Sequence, residues 1–247
     1  MNNFQINGTI SIHQPLFLPW FPYVARLVCS EIFVPLDNVQ YRKDYYQNRT
    51  LVKKGKNRQV EWLTIPVKYK MGYTINEIKL EKTNTLRKTR ERLYHNYCKA
   101  HNFNLYWPMV EKVLNGTNGT IVDLNMKFLL LYFEILNVNP PKIVYASTLY
   151  SGNDKSERIV EICHKMDSYV FLNGWGKSKD IHDQKYIRDN GIKFVNLDKQ
   201  KVVNRVNGEF LEEGLSLLDL LFKYDLAEIL ENIKIVKEVY IDEISRQ

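Results

Sequence analysis

The stretch from residue 143 to 197 sets the tightest bound on what this chain can fold into. Apolar, β-branched runs at 143–147, 168–173 and 192–197 alternate with stretches of helical periodicity at 155–166 and 178–190. Repetition of strand and helix at this spacing builds βαβ units, and those build a parallel sheet covered by helices on its faces. In such sheets ligands bind beyond the carboxyl ends of the strands. The residues that end strands are therefore the first candidates for function.

The N-terminal third reads the same way. "GTISIHQP" (8–15) alternates, is β-branched and stops at Pro15, which predicts a strand with His13 at its carboxyl end. "WFPYVARLVCSE" (20–31) has helical spacing, "IFVPLD" (32–37) is a second buried strand ending in Asp37, and "VEWLTIPVKY" (60–69) a third. From 85 to 115 the pattern is helical, with a break predicted near "NFNLYWP" because Pro108 disfavours helix at Trp107. Thr120 is the expected N-cap of a helix over 121–137, and residues 212–234 carry one or two further helices. The expected fold is α/β: a mostly parallel sheet flanked by helices, with a helical insertion at roughly 83–138 and a basic hairpin-like loop, in a single domain over 1–247.

His13 admits two roles. A neutral imidazole accepts a proton near pH 7, and a carboxylate such as Asp37 orients it if the two strands are adjacent. Alternatively, the ring only bonds a loop backbone. The densest polar cluster is "DNVQYRKDYYQNR" (37–49). Arg42, Lys43 and Arg49 suit phosphates, Gln40, Gln47 and Asn48 offer amides, and Tyr41, Tyr45 and Tyr46 offer faces for stacking. "LVKKGKNRQ" reads as a solvated turn at Gly55, and "NGWGK" (173–177) as a glycine turn whose backbone can meet a phosphate or an oxyanion.

Composition narrows the partners. The net charge of +7 and pI of about 9.1 suit an anionic ligand, and sixteen tyrosines suit a groove with polar contents. Cys29, Cys98 and Cys163 have neither disulfide-framework nor zinc spacing, so a reducing cytoplasm is the expected compartment and no metal is expected. The longest apolar run, "FLLLYFEIL" (128–136), is too short to span a bilayer, so no membrane insertion is expected.

Taken together, "HQPLFLPW", "VPLDNVQYRKDYYQNR", "WLTIPV", "KSERIVEICHKMDSYVFLNGWG" and "LSLLDLLFKYD", in order over residues 10 to 226, resemble the WbqC-like protein family. The specific part is HQPxxLPW followed by LDxVQY…QNR. The resemblance implies a place in O-antigen, capsule or related polysaccharide synthesis, and N-acylation of a nucleotide-linked deoxyamino sugar. The matched polar residues are His13, Gln14, Asp37, Gln40, Gln47, Asn48 and Arg49.

The resulting expectation is an acyl transfer from a coenzyme A thioester, most simply acetyl-CoA, to the amine of a dTDP- or UDP-linked sugar. His13 is the expected base and Asp37 its orienting partner. Gln14, Gln40, Tyr41, Arg42, Lys43, Gln47, Asn48, Arg49, Asn173 and Gly174 are the expected substrate contacts. Another sugar-nucleotide transferase, a single-stranded nucleic-acid binder and a non-catalytic scaffold are the rivals. No nucleic-acid partner is expected, and the oligomeric state is left open, a homodimer included.

Overall fold

A computed structural model describes residues 3–54, 59–81, 84–117, 119–150, 155–174 and 181–246. The chain runs β1 (Ile6–His13), α1 (Phe21–Cys29), β2 (Ser30–Pro35), β3 (Arg49–Lys54), β4 (Gln59–Thr64), β5 (Val67–Lys68), β6 (Lys79–Leu80), α2 (Asn84–Tyr97), α3 (Phe103–Gly116), α4 (Ile121–Leu136), β7 (Lys142–Ile143), α5 (Lys155–Lys165), β8 (Val170–Asn173), α6 (Gln184–Asp189), β9 (Lys193–Asn196), α7 (Lys199–Val203), α8 (Leu217–Lys223) and α9 (Leu226–Ser245).

Five strands form one parallel sheet in the order β7-β2-β1-β8-β9. The chain starts on the central strand, adds β2 and β7 on one side, then crosses to add β8 and β9 on the other. The strand order thus reverses at β1, and α1, which follows β1, and α6, which follows β8, pack into the cores on opposite faces. A crevice at their carboxyl ends is the natural ligand position of such a sheet.

Strand alternation assigns the two faces. Ile10 and Ile12 of β1 pack with Ile32, Val34, Phe171 and Phe194 against α5 and α6. Phe33, Leu172 and Val195 point the other way, into the larger core built with α1, α4 and α9. On that second face β1 carries Thr9, Ser11 and His13. Ser11 Oγ lies 2.7 Å from Ser30 Oγ and also donates to the Leu172 carbonyl, so a buried polar seam runs along β1 to its carboxyl end.

The expected α/β fold with its parallel sheet is present, with several local corrections. The run 60–69 does not join the main sheet: β4 pairs antiparallel with β3, and β5 separately with β6. The helical break lies at 98–102, upstream of Pro108, which sits inside α3. Pro108 leaves only the Asn104 carbonyl without its helical donor, and Asn104 is exposed to water. β2 ends at Pro35, so Asp37 lies two residues beyond the strand. The helix over 178–190 is observed at 184–189, its first residues lying outside the described set. Thr120 caps α4 as expected, its side chain accepting from the Asp123 N–H.

The segment after His13 is itself core. Phe17 and Leu18 are fully buried, the Phe17 N–H donates to the Tyr46 carbonyl, and Leu18 sits at φ 42°, a left-handed conformation that L-residues adopt only under firm packing. Cys29 and Cys163 are buried core fillers, and burial pushes the Cys29 thiol up to about 12. Among the described residues no helix is long and apolar enough to cross a membrane.

Candidate active site at the strand-order reversal

His13 ends β1 at the reversal point. Its Nδ1 lies 3.0 Å from the Gln14 carbonyl, and a carbonyl has no proton to give, so Nδ1 carries the hydrogen and Nε2 is the acceptor. The Tyr23 hydroxyl of α1 donates to the same carbonyl at 3.1 Å, and the two rings meet edge to face with centroids 5.2 Å apart. Burial, then the nearby Arg26 guanidinium, hold the imidazole down to about 3 against the Gln14 bond, with His182 adding to the depression. The resting ring is neutral at pH 7.

Asp37 does not orient it. Its carboxylate accepts the Ser147 N–H at 2.9 Å and Ser147 Oγ at 2.7 Å. The expected His–Asp pair is absent because Asp37 lies past the end of β2, where the chain has turned toward the short 3₁₀ turn at 146–148.

Two amides of the 37–49 cluster, Gln47 and Asn48, are framework. Gln47 is fully buried: Nε2 donates to Gln14 Oε1 at 2.9 Å, and Oε1 accepts the Arg42 N–H at 2.9 Å. Asn48 Nδ2 donates to the Ile65 carbonyl, and Asn125 of α4 donates to the Pro15 and Gln47 carbonyls. Gln47 thereby ties the loop 37–49 to the residue after His13. Gln40 is exposed and joins Thr74 by a backbone bridge. Tyr41 is buried against Tyr69, while Lys43 is exposed.

An aromatic platform flanks this frame. Arg49 lies 4.0 Å above the Trp62 ring and 3.6 Å from Asp44, Tyr46 packs on Trp62, and Arg42 sits over Tyr45. Tyr46 reaches this position past Gly214, where any Cβ would stand 2.6 Å from the phenol oxygen at φ 77°.

At the other rim, the Asn173 amide donates to Asn196 Oδ1 on the α5/α6 face of the sheet, away from His13. The Asn173 carbonyl accepts the Tyr240 hydroxyl from α9 at 2.8 Å. Gly174 follows it, beside Arg26. Trp175 to Lys177 of the expected glycine turn, and Gly55, lie outside the described residues.

The profile of the WbqC-like protein family matches residues 14–230. The chain belongs to this family. This WbqC-like protein is also similar to a Mycobacterium tuberculosis protein, at 22% identity over 218 residues covering 86% of this chain and 92% of that one. The relative's printed name, "Uncharacterized protein Rv1507c", assigns no activity. No solved structure matches the chain.

Four residues of the candidate site and its platform escaped sequence reasoning: Arg26, Tyr23, Tyr240 and Trp62. Arg26 had a readable signal, since it is the one charge within the apolar helix "FPYVARLVC". Tyr23 and Tyr240 had none beyond ordinary helical spacing.

Proposed function

We propose that this WbqC-like protein is a sugar N-acyltransferase that moves an acyl group from a coenzyme A thioester, such as acetyl-CoA, to the amine of a dTDP- or UDP-linked deoxyamino sugar. The observation that carries the reading is His13 at the strand-order reversal, with Nδ1–H held by the Gln14 carbonyl and Nε2 left as an acceptor.

The chemistry asks little of the protein. The amine nitrogen attacks the thioester carbonyl carbon, an N–C bond forms, and the C–S bond breaks. His13 Nε2 takes the amine proton and returns it to the departing thiolate, so the ring ends as it began. The reactants must be held at ~3–3.5 Å in the correct orientation. The Gly174 backbone, at the same rim, is the place for a donor to the developing oxyanion. The Arg49–Trp62 platform, tied to His13 through Gln47 and Gln14, supplies a stacking surface for the base.

The test is a turnover assay with acyl-CoA thioesters and a panel of dTDP- and UDP-linked amino sugars, run with and without chelator. Sugar-dependent release of the coenzyme A thiol is expected, falling by ~10²–10⁴-fold in His13→Asn. No thiol release across the panel, or full turnover in His13→Asn, overturns the reading.

A further inference from the structure

α1 turns a charge inward. Arg26 is only 3% exposed, with its Cζ 5.4 Å from the Tyr23 ring centroid, and the other side of this arrangement is His13, whose own ring touches Tyr23. Its Nη1 is directed at Gly174, where a Cβ would stand 3.4 Å away. Among the described residues it forms no ion pair, and its Nε is buried without an acceptor. The groups that interact with it electrostatically are His13 of β1, Tyr23 of α1 and Tyr240 of α9. None supplies negative charge, because burial raises both phenols far above neutrality.

A guanidinium without a counter-ion is among the least favourable groups to bury, and an apolar side chain of similar volume is better tolerated. Arg stays protonated in proteins, and its planar fork matches phosphate and carboxylate oxygens. The position is also the one a parallel sheet reserves for ligand, between the ends of the two strands where the order reverses.

We propose that Arg26 is the anion-binding residue of this crevice, and that it captures a phosphate of a diphosphate-bearing ligand between His13 and Gly174. Two ligands of the proposed reaction carry that group, the nucleotide sugar and coenzyme A; the choice of probes rests on that reading, whereas binding is measured without turnover. The bound anion neutralises Arg26 and removes one of the causes that keep the His13 ring from taking a proton. Burial, the larger cause, still acts on the ring, so the anion eases the depression without lifting it.

Titration calorimetry of the full chain with inorganic pyrophosphate, dTDP, UDP and coenzyme A tests this. Binding of a diphosphate probe by the wild-type chain is expected. Arg26→Met is expected to weaken binding about 10- to 100-fold and, without ligand, to raise Tm by roughly 2–4 °C or more. Binding of dTDP or UDP alone marks the nucleotide sugar as the source, and binding of coenzyme A alone marks the thioester. Wild-type protein that binds none of the probes overturns the proposal, as does a folded Arg26→Met that binds equally well. If Arg26→Met does not fold, Arg26→Gln removes the charge and keeps a polar side chain; undiminished binding there overturns the proposal too. Diphosphate binding without turnover keeps Arg26 and removes the acyltransferase. Turnover with binding unaffected by Arg26→Met does the reverse.

Discussion

The carboxylate of Asp37 accepts two hydrogen bonds from Ser147, one from the backbone N–H at 2.9 Å and one from Oγ at 2.7 Å, and so ties the chain after β2 to the turn after β7. These strands are neighbours in the sheet, and the pair clamps their carboxyl ends together at one side of the crevice. Asp37 therefore holds two chain segments together at the edge of the candidate site.

Removing the carboxylate leaves the Ser147 N–H without its acceptor. Asp37→Ala is expected to lose about 1–3 kcal/mol of stability, seen in thermal melts as roughly 2–4 °C per kcal/mol. Asp37→Asn keeps one acceptor oxygen and most of the stability. The pH profile of turnover in Asp37→Asn matches wild type, because the carboxylate does not touch His13. A displaced acid limb in that variant would return Asp37 to the base.

His13 imposes a pH dependence on folding. Its ring is held down to about 3 in the native state against 6.5 ordinarily, so between these values the unfolded chain binds the extra proton. The native state loses stability as pH falls through this window, by up to about 1.4 kcal/mol per pH unit. Urea midpoints from pH 6 to pH 4 should fall more steeply in wild type than in His13→Asn. Equal slopes would mean that the ring is solvated like a free imidazole.

Gln14 and Gln47 form one unit, bonded side chain to side chain at 2.9 Å. Gln47→Ala removes the partner of Gln14 and the acceptor of the Arg42 N–H together, and about 1–3 kcal/mol is expected to go with them. A double-mutant cycle with Gln14→Ala should show coupling of roughly 0.5–3 kcal/mol. Additive losses would separate the loop 37–49 from the residue after His13.

Glu209 offers a control outside the crevice. Although burial opposes it, bonds from Lys223, Lys53 and Tyr224 hold its carboxyl down to about 2. Its contribution is present above the ordinary carboxylate range and is lost as pH falls toward 2. Glu209→Gln is expected to lower Tm and flatten the acid limb of the stability curve, leaving ligand binding at its wild-type value. Impaired binding at unchanged stability would contradict this purely structural role.

The parallel sheet was legible because buried strands and amphipathic helices have different periods, and 143–197 displays both. The position of His13 followed from Pro15, which ends its strand. The amide cluster misled because residue type says nothing of burial: Gln47 and Asn48 suit a sugar hydroxyl and a loop carbonyl equally well, and the fold uses them on carbonyls and on Gln14. Asp37 misled for a geometric reason, since two residues past a strand the chain direction is set by tertiary partners. Arg26 asked for the opposite inference, from a charge in an apolar stripe to something that must answer it.

The central position of β1 has a consequence for how the protein comes into being. Ser11 bonds the Leu172 carbonyl across 161 residues, and β1 pairs with β8 only at Thr9 and Ile10. During synthesis, then, β1 must wait for β8 before the sheet is complete on that side of His13. Contacts so distant in sequence form late. A nascent or truncated chain that stops short of residue 170 has His13 and Arg26 but neither β8 nor the Gly174 backbone that stands beside Arg26.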